Sequence, residues 1–189
     1  MPSFTHRLAA LEDLETLRAL MRRAIGHLQL GFLSPEQVSA SHKVMGLDSQ
    51  LVRDQTYFII EHDGVIAGCG GWSWRATLYG GDDSVVTREP EPLDPAKDAA
   101  RIRAMYTDPD FARQGVGRLI MDLCEAAARA HGFRKVEMMA TLSGEPLYRA
   151  CGYLPIERIS SAPIDGVTVP LVRMGKALPD ASTGERSPR

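Results

Sequence analysis

Residues 106–132 read YTDPDFARQGVGRLIMDLCEAAARAHG. The stretch leaves an extended segment at Tyr106-Thr107, turns at Asp108-Pro109 and passes through a basic, glycine-bearing loop: Arg113, Gln114, Gly115, Val116, Gly117 and Arg118. From Val116 to Ala130 the apolar spacing predicts a helix, with Leu119, Ile120, Leu123, Ala127 and Ala130 on one face. His131-Gly132 ends it, with Gly132 as a left-handed cap. The first four N–H groups of a helix lack intrahelical partners, and the helix dipole adds positive charge at that end. A phosphate there satisfies both. Gly115 and Gly117 permit close approach, and Arg113 and Arg118 bring full charges. Two readings stand at this point: a pyrophosphate cradle, or a tight strand-to-helix turn whose arginines are incidental. The loop lacks the Gly-Lys-Ser/Thr of a P-loop and the third glycine of the dinucleotide fingerprint.

Working outward, residues 100–107 (ARIRAMYT) read as a central strand. Phe4–Ala9 reads as an opening strand. Leu14, Leu17, Met21, Ile25 and Leu28 form one helical stripe. SPEQVSASHKVMG (34–46) reads as a second helix with Ser34 as N-cap and Pro35 in the first turn. Tyr57–Glu61 and Val65–Trp74 form a hairpin around Asp63-Gly64. Arg75–Asp98 has two glycines, three prolines and little periodicity, and reads as a long inter-strand loop. Downstream, RKVEMMATL is a strand and SGEPLYRACGY a short helix, with Ser143 as its N-cap and Gly152 at its far end. LPIERISS and VTVPLVRMG form a last pair around Asp165-Gly166. Pro155 and Pro170 indicate edge positions or bulges.

The chain has 189 residues, 44% apolar and 24% charged, with a formal net charge of −2. It is long enough to bury a core without disulfides, and no global field recruits nucleic acid or anionic membrane. Cys69, Cys124 and Cys151 are scattered and odd in number, which argues against a disulfide framework or zinc site. The N-terminus has no signal-peptide pattern, and no run approaches the roughly 18 apolar residues of a membrane span. These features point to a cytoplasmic protein with one domain over 1–177, a long loop at 75–98 and a disordered tail at 178–189.

MYTDPDFARQGVGRLIMDLCEAAARAHG (105–132), followed by KVEMMATLSGEPLYRACGYLP (135–155), resembles the GCN5-related N-acetyltransferase (GNAT) superfamily. With Gly115 and Gly117 in register, the family's Gln/Arg position falls on Ala112, beside Arg113 and Gln114. The resemblance implies an α/β (α+β) fold, with a mixed, mostly antiparallel sheet of about seven strands flanked by about four helices. Its parallel central strands, Arg103–Thr107 and Val136–Thr141, splay apart. It implies acetyl-CoA as co-substrate and no metal. The pyrophosphate would lie on Arg113–Arg118 and the pantetheine arm on the main chain of Met105, Tyr106 and Thr107. Tyr148 would act as general acid on the departing thiolate. Transfer would be to a primary amine of a small molecule or peptide, by direct attack in a ternary complex, in a monomer or homodimer. A CoA-binding module without transfer, or another acyl group, is the alternative.

Neither sequence nor resemblance assigns a base; Glu137, Glu61 and His62 are candidates by type alone. For the acceptor, Trp72, Trp74 and Tyr79 with Asp82 and Asp83 suggest an aromatic and acidic pocket for a cationic amine. The 75–98 loop would form part of it, or a lid.

Overall fold

Ile59 and Ile60 are neighbours in one strand, and both are fully buried. Successive strand side chains point to opposite faces, so this sheet is covered on both. A computed structural model describes residues 3–179. Residues 180–189 of the tail expected to be disordered lie outside the described residues. In chain order the elements are β1 (Thr5–Leu8), α1 (Leu14–Leu28), α2 (Pro35–Val44), α3 (Ser49–Arg53), β2 (Tyr57–His62), β3 (Val65–Ser73), β4 (Ala100–Thr107), α4 (Val116–Ala130), β5 (Lys135–Thr141), α5 (Glu145–Ala150), β6 (Leu154–Ser160) and β7 (Pro170–Ala177). Short 3-10 turns at Leu11–Asp13 and Pro109–Phe111 lead into α1 and out of β4. The seven strands form one sheet in the order β1-β2-β3-β4-β5-β7-β6.

All pairings are antiparallel except β4 with β5. That parallel contact is confined to Ala100↔Val136 and Arg101↔Glu137. Beyond it the strands part, as expected, and the β4 main chain from Ile102 to Thr107 turns an unpaired edge toward β5. A bulge accompanies the opening. The β3–β4 register slips between Cys69 and Gly71, and Ala104 takes a left-handed φ of 51°. The fully buried Tyr57 hydroxyl donates to the Ala104 carbonyl at 2.6 Å. Gly70 faces the bulge: a Cβ there would lie 2.8 Å from Met105 Cγ and 2.6 Å from Ile120 Cγ2. A bulge bends its strand and raises the local twist, which carries β4 away from β5.

On one face α1 and α3 pack Leu17, Ile25, Leu51 and Val52 against Tyr57, Ile59 and Cys69. On the other, α4 packs Val116, Ile120, Met121, Cys124 and Ala128 against Ile60, Trp72 and Val136. Each fully buried side chain of Ile or Met size contributes about 1.5–3 kcal/mol. The buried row of α4 is centred on 116, 120, 124 and 128. Leu119, Leu123 and Ala127 flank it, half-buried, so the helix is rotated slightly from the face expected. α3 is a short helix that was not anticipated; its signal is Asp48, whose carboxylate accepts from Gln50 N. The N-cap of α5 is Gly144, one residue after the Ser143 expected, because Thr141 Oγ1 engages both Ser143 Oγ and Gly144 N. Pro155 sits at a bulge in the edge strand β6, and Pro170 opens β7. Among the described residues, no helix is long and apolar enough to cross a membrane.

The 75–98 loop is folded back on itself and pinned. Thr77 N donates to Glu89 O at 2.8 Å, and Leu93 N to Trp74 O at 2.7 Å. Its tip docks on the α2–α3 connection through Asp82 N to Leu47 O, 2.9 Å. Beneath it lies a charge network. Arg103, with a side chain 2% exposed, pairs with Asp48 at 3.0 Å and donates to Gly80 O at 2.7 Å. Arg88 bridges Asp48 and Asp82. Burial pushes the Asp82 carboxyl up, but Arg88 and Ser49 outweigh it and hold the group below its ordinary range. Removing one partner of a buried pair leaves the other uncompensated. We therefore predict that Asp48→Asn lowers the unfolding free energy by about 3–5 kcal/mol in urea titration. Arg88→Gln, at a more exposed site, should cost about 1 kcal/mol or less. Equal losses would show that the Arg103–Asp48 pair is not what anchors the loop.

Candidate functional site

The gap between β4 and β5 opens into a cleft of about 840 Å³. One end is walled by Ala112, Arg113, residues 115–118 and the start of α5. The middle is β4 from Arg103 to Thr107, facing Met138, Met139 and Thr141 of β5. The far end is built by the close of α1 and by Leu78, Tyr79 and Gly80 of the long loop.

At the first end, Arg113 and Gly115 both take left-handed φ values, 65° and 95°, on either side of Gln114. Such alternation turns successive N–H groups into one concavity suited to an anion. Among the described residues, the backbone N–H groups of 113–118 have no acceptor. Gly115 is the N-cap of α4, and its φ is one that a side chain resists. Gly117 has another reason: a Cβ there would lie 2.6 Å from Leu147 Cδ2, so α5 packs directly on the first turn of α4. The glycines are accounted for by turn geometry and packing, and the residues around them line the cleft with their N–H groups unpaired among the described residues. The side chains of Arg113, Gln114 and Arg118 are exposed; Gln114 Nε2 donates to Asp110 O, and Arg118 Nη2 to Ala150 O. Ala112 lines the cleft beside them.

Met105, Tyr106 and Thr107 lie along the free edge of β4. The Tyr106 ring is buried in the core under α1, with its hydroxyl 3.4 Å from Gly46 O. Its main chain faces β3: Tyr106 pairs with Cys69, and two residues on Asp108 N donates to Ala67 O at 2.9 Å, so the groups that face the gap are those of its neighbours Met105 and Thr107.

Tyr148 projects from α5 into the cleft, with its ring 6.4 Å from that of Tyr153. Its hydroxyl has no hydrogen-bond partner among the described residues. Burial, with smaller contributions from the Cys151 and Cys124 thiols, pushes the phenol up to about 12. Its proton is thus retained through the neutral range. The ring lies across Gly144, where a Cβ would come within 2.8 Å of Tyr148 Cε2 and 3.2 Å of the hydroxyl.

The structure does not assemble the expected aromatic and acidic pocket. Trp72, 1% exposed, is core under α4, with ring centroids 6.2 Å from Phe133 and 4.7 Å from His131. Trp74 stacks on His131 at 6.0 Å. The large apolar area of both is taken up in that packing, and neither lines the cleft. Of the three aromatics only Tyr79 lines it. Asp82 is held by Ser49, Arg88 and Arg18, and Asp83 belongs to a neighbouring groove. The base candidates are also elsewhere. Glu137 pairs with Arg101 and Arg173, Glu61 with Arg7, and His62 Nδ1 contacts Ser3 O. The sequence reading missed Phe32, Gln29, Leu78 and Arg103 as cleft residues. Arg103 carried a usable signal, since a guanidinium inside an apolar strand needs a buried partner.

The acetyltransferase (GNAT) family model matches residues 17–153. Among curated proteins none matches. A GCN5-related N-acetyltransferase from Rhodopseudomonas palustris superposes with a TM-score of 0.68 at 21% identity, covering 94% of this chain and 96% of that one. The PaiA N-acetyltransferase from Thermoplasma acidophilum, solved in complex with coenzyme A, gives 0.61 at 14% identity, over 93% and 99%. The ribosomal-protein-S18-alanine N-acetyltransferase from Escherichia coli gives 0.58 at 16%, over 98% and 100%. At these identities the likeness speaks for the fold. With the family model covering most of the chain, the parted β4–β5 pair and the open N–H loop take their place in a known architecture: the chain belongs to the GNAT family of acetyltransferases, which are acyltransferases.

Proposed function

We propose that this chain is an acetyl-CoA-dependent N-acetyltransferase, carried by a single domain over 1–177 and working in the cytoplasm. It acetylates a primary amine of a small molecule or peptide by direct attack in a ternary complex. The observation that carries this reading is one continuous cleft joining the unpaired N–H groups of 113–118, the free edge of β4 and the unpartnered Tyr148 hydroxyl.

The residues present fit the cofactor. The open N–H loop and the α4 N-terminus suit a pyrophosphate, with Arg113 and Arg118 at its rim. The free main-chain edge on either side of Tyr106, at Met105 and Thr107, suits an amide-bearing arm, which pairs as a strand would. Bound acetyl-CoA supplies the activated acyl group and a thiol leaving group. A main-chain N–H near Met105 polarises the thioester carbonyl, an electrostatic contribution that is usually large. Tyr148 holds a proton at its hydroxyl and gives it to the departing sulfur. A CoA-binding module without transfer is the second reading. The observation favouring it is that no carboxylate or imidazole lines the cleft among the described residues.

Thiol release from acetyl-CoA against a panel of amines separates the two; binding without release on any amine would sink the transferase reading. Tyr148→Phe should lower kcat by roughly 10²–10⁴-fold while cofactor Kd stays nearly constant. Wild-type turnover in that variant removes Tyr148 from the mechanism. Gly144→Ala should displace the ring and lower kcat by about tenfold or more, again with little change in cofactor Kd. Because burial raises the phenol to about 12, its proton is lost only as pH rises through that value. Turnover should therefore show no Tyr148-dependent fall below about pH 10.

A further inference from the structure

The acceptor end of the cleft is apolar. Ile25, Leu28 and Phe32 contribute from α1 and the turn after it, Leu78 from the long loop, and Met139 and Leu171 from β5 and β7. Its buried amide, Gln29, is already engaged: its oxygen accepts from Ser41 Oγ at 3.2 Å, and its nitrogen lies 3.5 Å from Met45 Sδ. Among the described residues, no aspartate, glutamate, histidine or lysine lines the cleft. Its charged groups are Arg103, Arg113 and Arg118, and its other titratable residues are Tyr79, Tyr106 and Tyr148, of which the Tyr106 phenol is turned into the core toward Gly46 O. The Arg103 charge is met by Asp48, so that pair offers an incoming cation nothing. Arg18, Arg22, His42 and Asp83 line a separate groove that shares only Met45 and Gly46 with the cleft.

An ammonium entering this wall gives up its hydration and meets no unpaired counter-charge. We infer that the acceptor is a weakly basic amine on an apolar body, of aromatic-amine type, which enters the cleft uncharged. The inference rests on the transferase reading above and names its substrate class.

The proton balance agrees with it. The lone pair of a neutral amine attacks the thioester carbonyl carbon, forming the C–N bond. The C–S bond breaks and its electron pair leaves with sulfur. Tyr148 donates its proton to that sulfur, and nitrogen sheds one N–H proton, which restores the phenol through solvent. One proton is lost at nitrogen and one gained at sulfur. An ammonium has a second proton to lose before it can attack, and no carboxylate or imidazole in the cleft receives it. The handicap is large: a lysine-like amine with a pKa of about 10.4 is neutral in roughly one molecule in 2,500 at pH 7.

The test uses the full chain, with acetyl-CoA binding first measured by calorimetry. Thiol release is then followed with aniline, benzylamine and spermidine from about pH 6 to pH 9. Aniline should give a kcat/KM that is flat across the range. That of benzylamine should climb about tenfold per pH unit, following its own neutral fraction, and spermidine at pH 7 should lie at least roughly 100-fold below aniline. Leu78→Asp places a carboxylate in the half-buried wall, and should shift selectivity toward benzylamine over aniline by about tenfold at pH 7. A thermal melt checks that this variant is folded. Preference for spermidine or benzylamine at pH 7 overturns the inference and leaves the transferase reading standing. So does an acidic limb at one fixed pH for every amine, which marks an enzymic base. Bound acetyl-CoA with no thiol release on any amine rejects the transferase reading and this inference with it.

Discussion

A sheet that parts between two of its central strands must be closed firmly on either side of the opening. Here β5 is tied to β7 by an unbroken antiparallel register from Lys135↔Ala177 to Thr141↔Leu171. On the other side, β4 is tied to β3 through the bulge at Ala104, fixed by the hydrogen bond from the buried Tyr57 hydroxyl. The two halves meet at Ala100 and Arg101 and diverge from there. The free edge of β4 and the volume of the cleft follow from that divergence. A buried phenol two strands away is thus part of what keeps the site open.

The second organising element is the Asp48–Arg103 pair. Arg103 belongs to the strand that edges the cleft, Asp48 to the cap of α3, and Gly80 to the loop that walls its far end. One guanidinium therefore ties three separate parts of the chain together. Buried charge pairs seldom add much net stability over apolar packing. This one fixes where the loop lies relative to β4, and with it the distance between the far wall of the cleft and the free main-chain edge.

The sequence was most legible where structure is local. The helix from 116, the Asp63-Gly64 hairpin and the left-handed caps at Gly132 and Gly152 follow from short-range rules. The splayed pair came through the family resemblance rather than from periodicity. The far side of the cleft was least legible. Trp72 and Trp74 looked like pocket aromatics because they precede the loop, but their burial was decided by His131 and Phe133, about sixty residues away in the chain. Conversely Leu78, Phe32 and Leu171 come together only through the tertiary fold, and no window of sequence contains all three. Glu137, Glu61 and His62 had the right chemistry for a base, yet each is committed to a partner outside the cleft.

The contact of Leu147 with Gly117 has a metric consequence. With no side chain between them, α5 is seated on the opening turn of α4, which ties the N–H loop directly to the helix that carries Tyr148. In the proposed reading the loop grips the distal end of the cofactor while the phenol waits at its reactive end. The separation of the two is then a built-in ruler. On that reading the site recognises its acyl carrier by length as well as by charge, and a thioester on a shorter or longer arm presents its sulfur out of the phenol's reach.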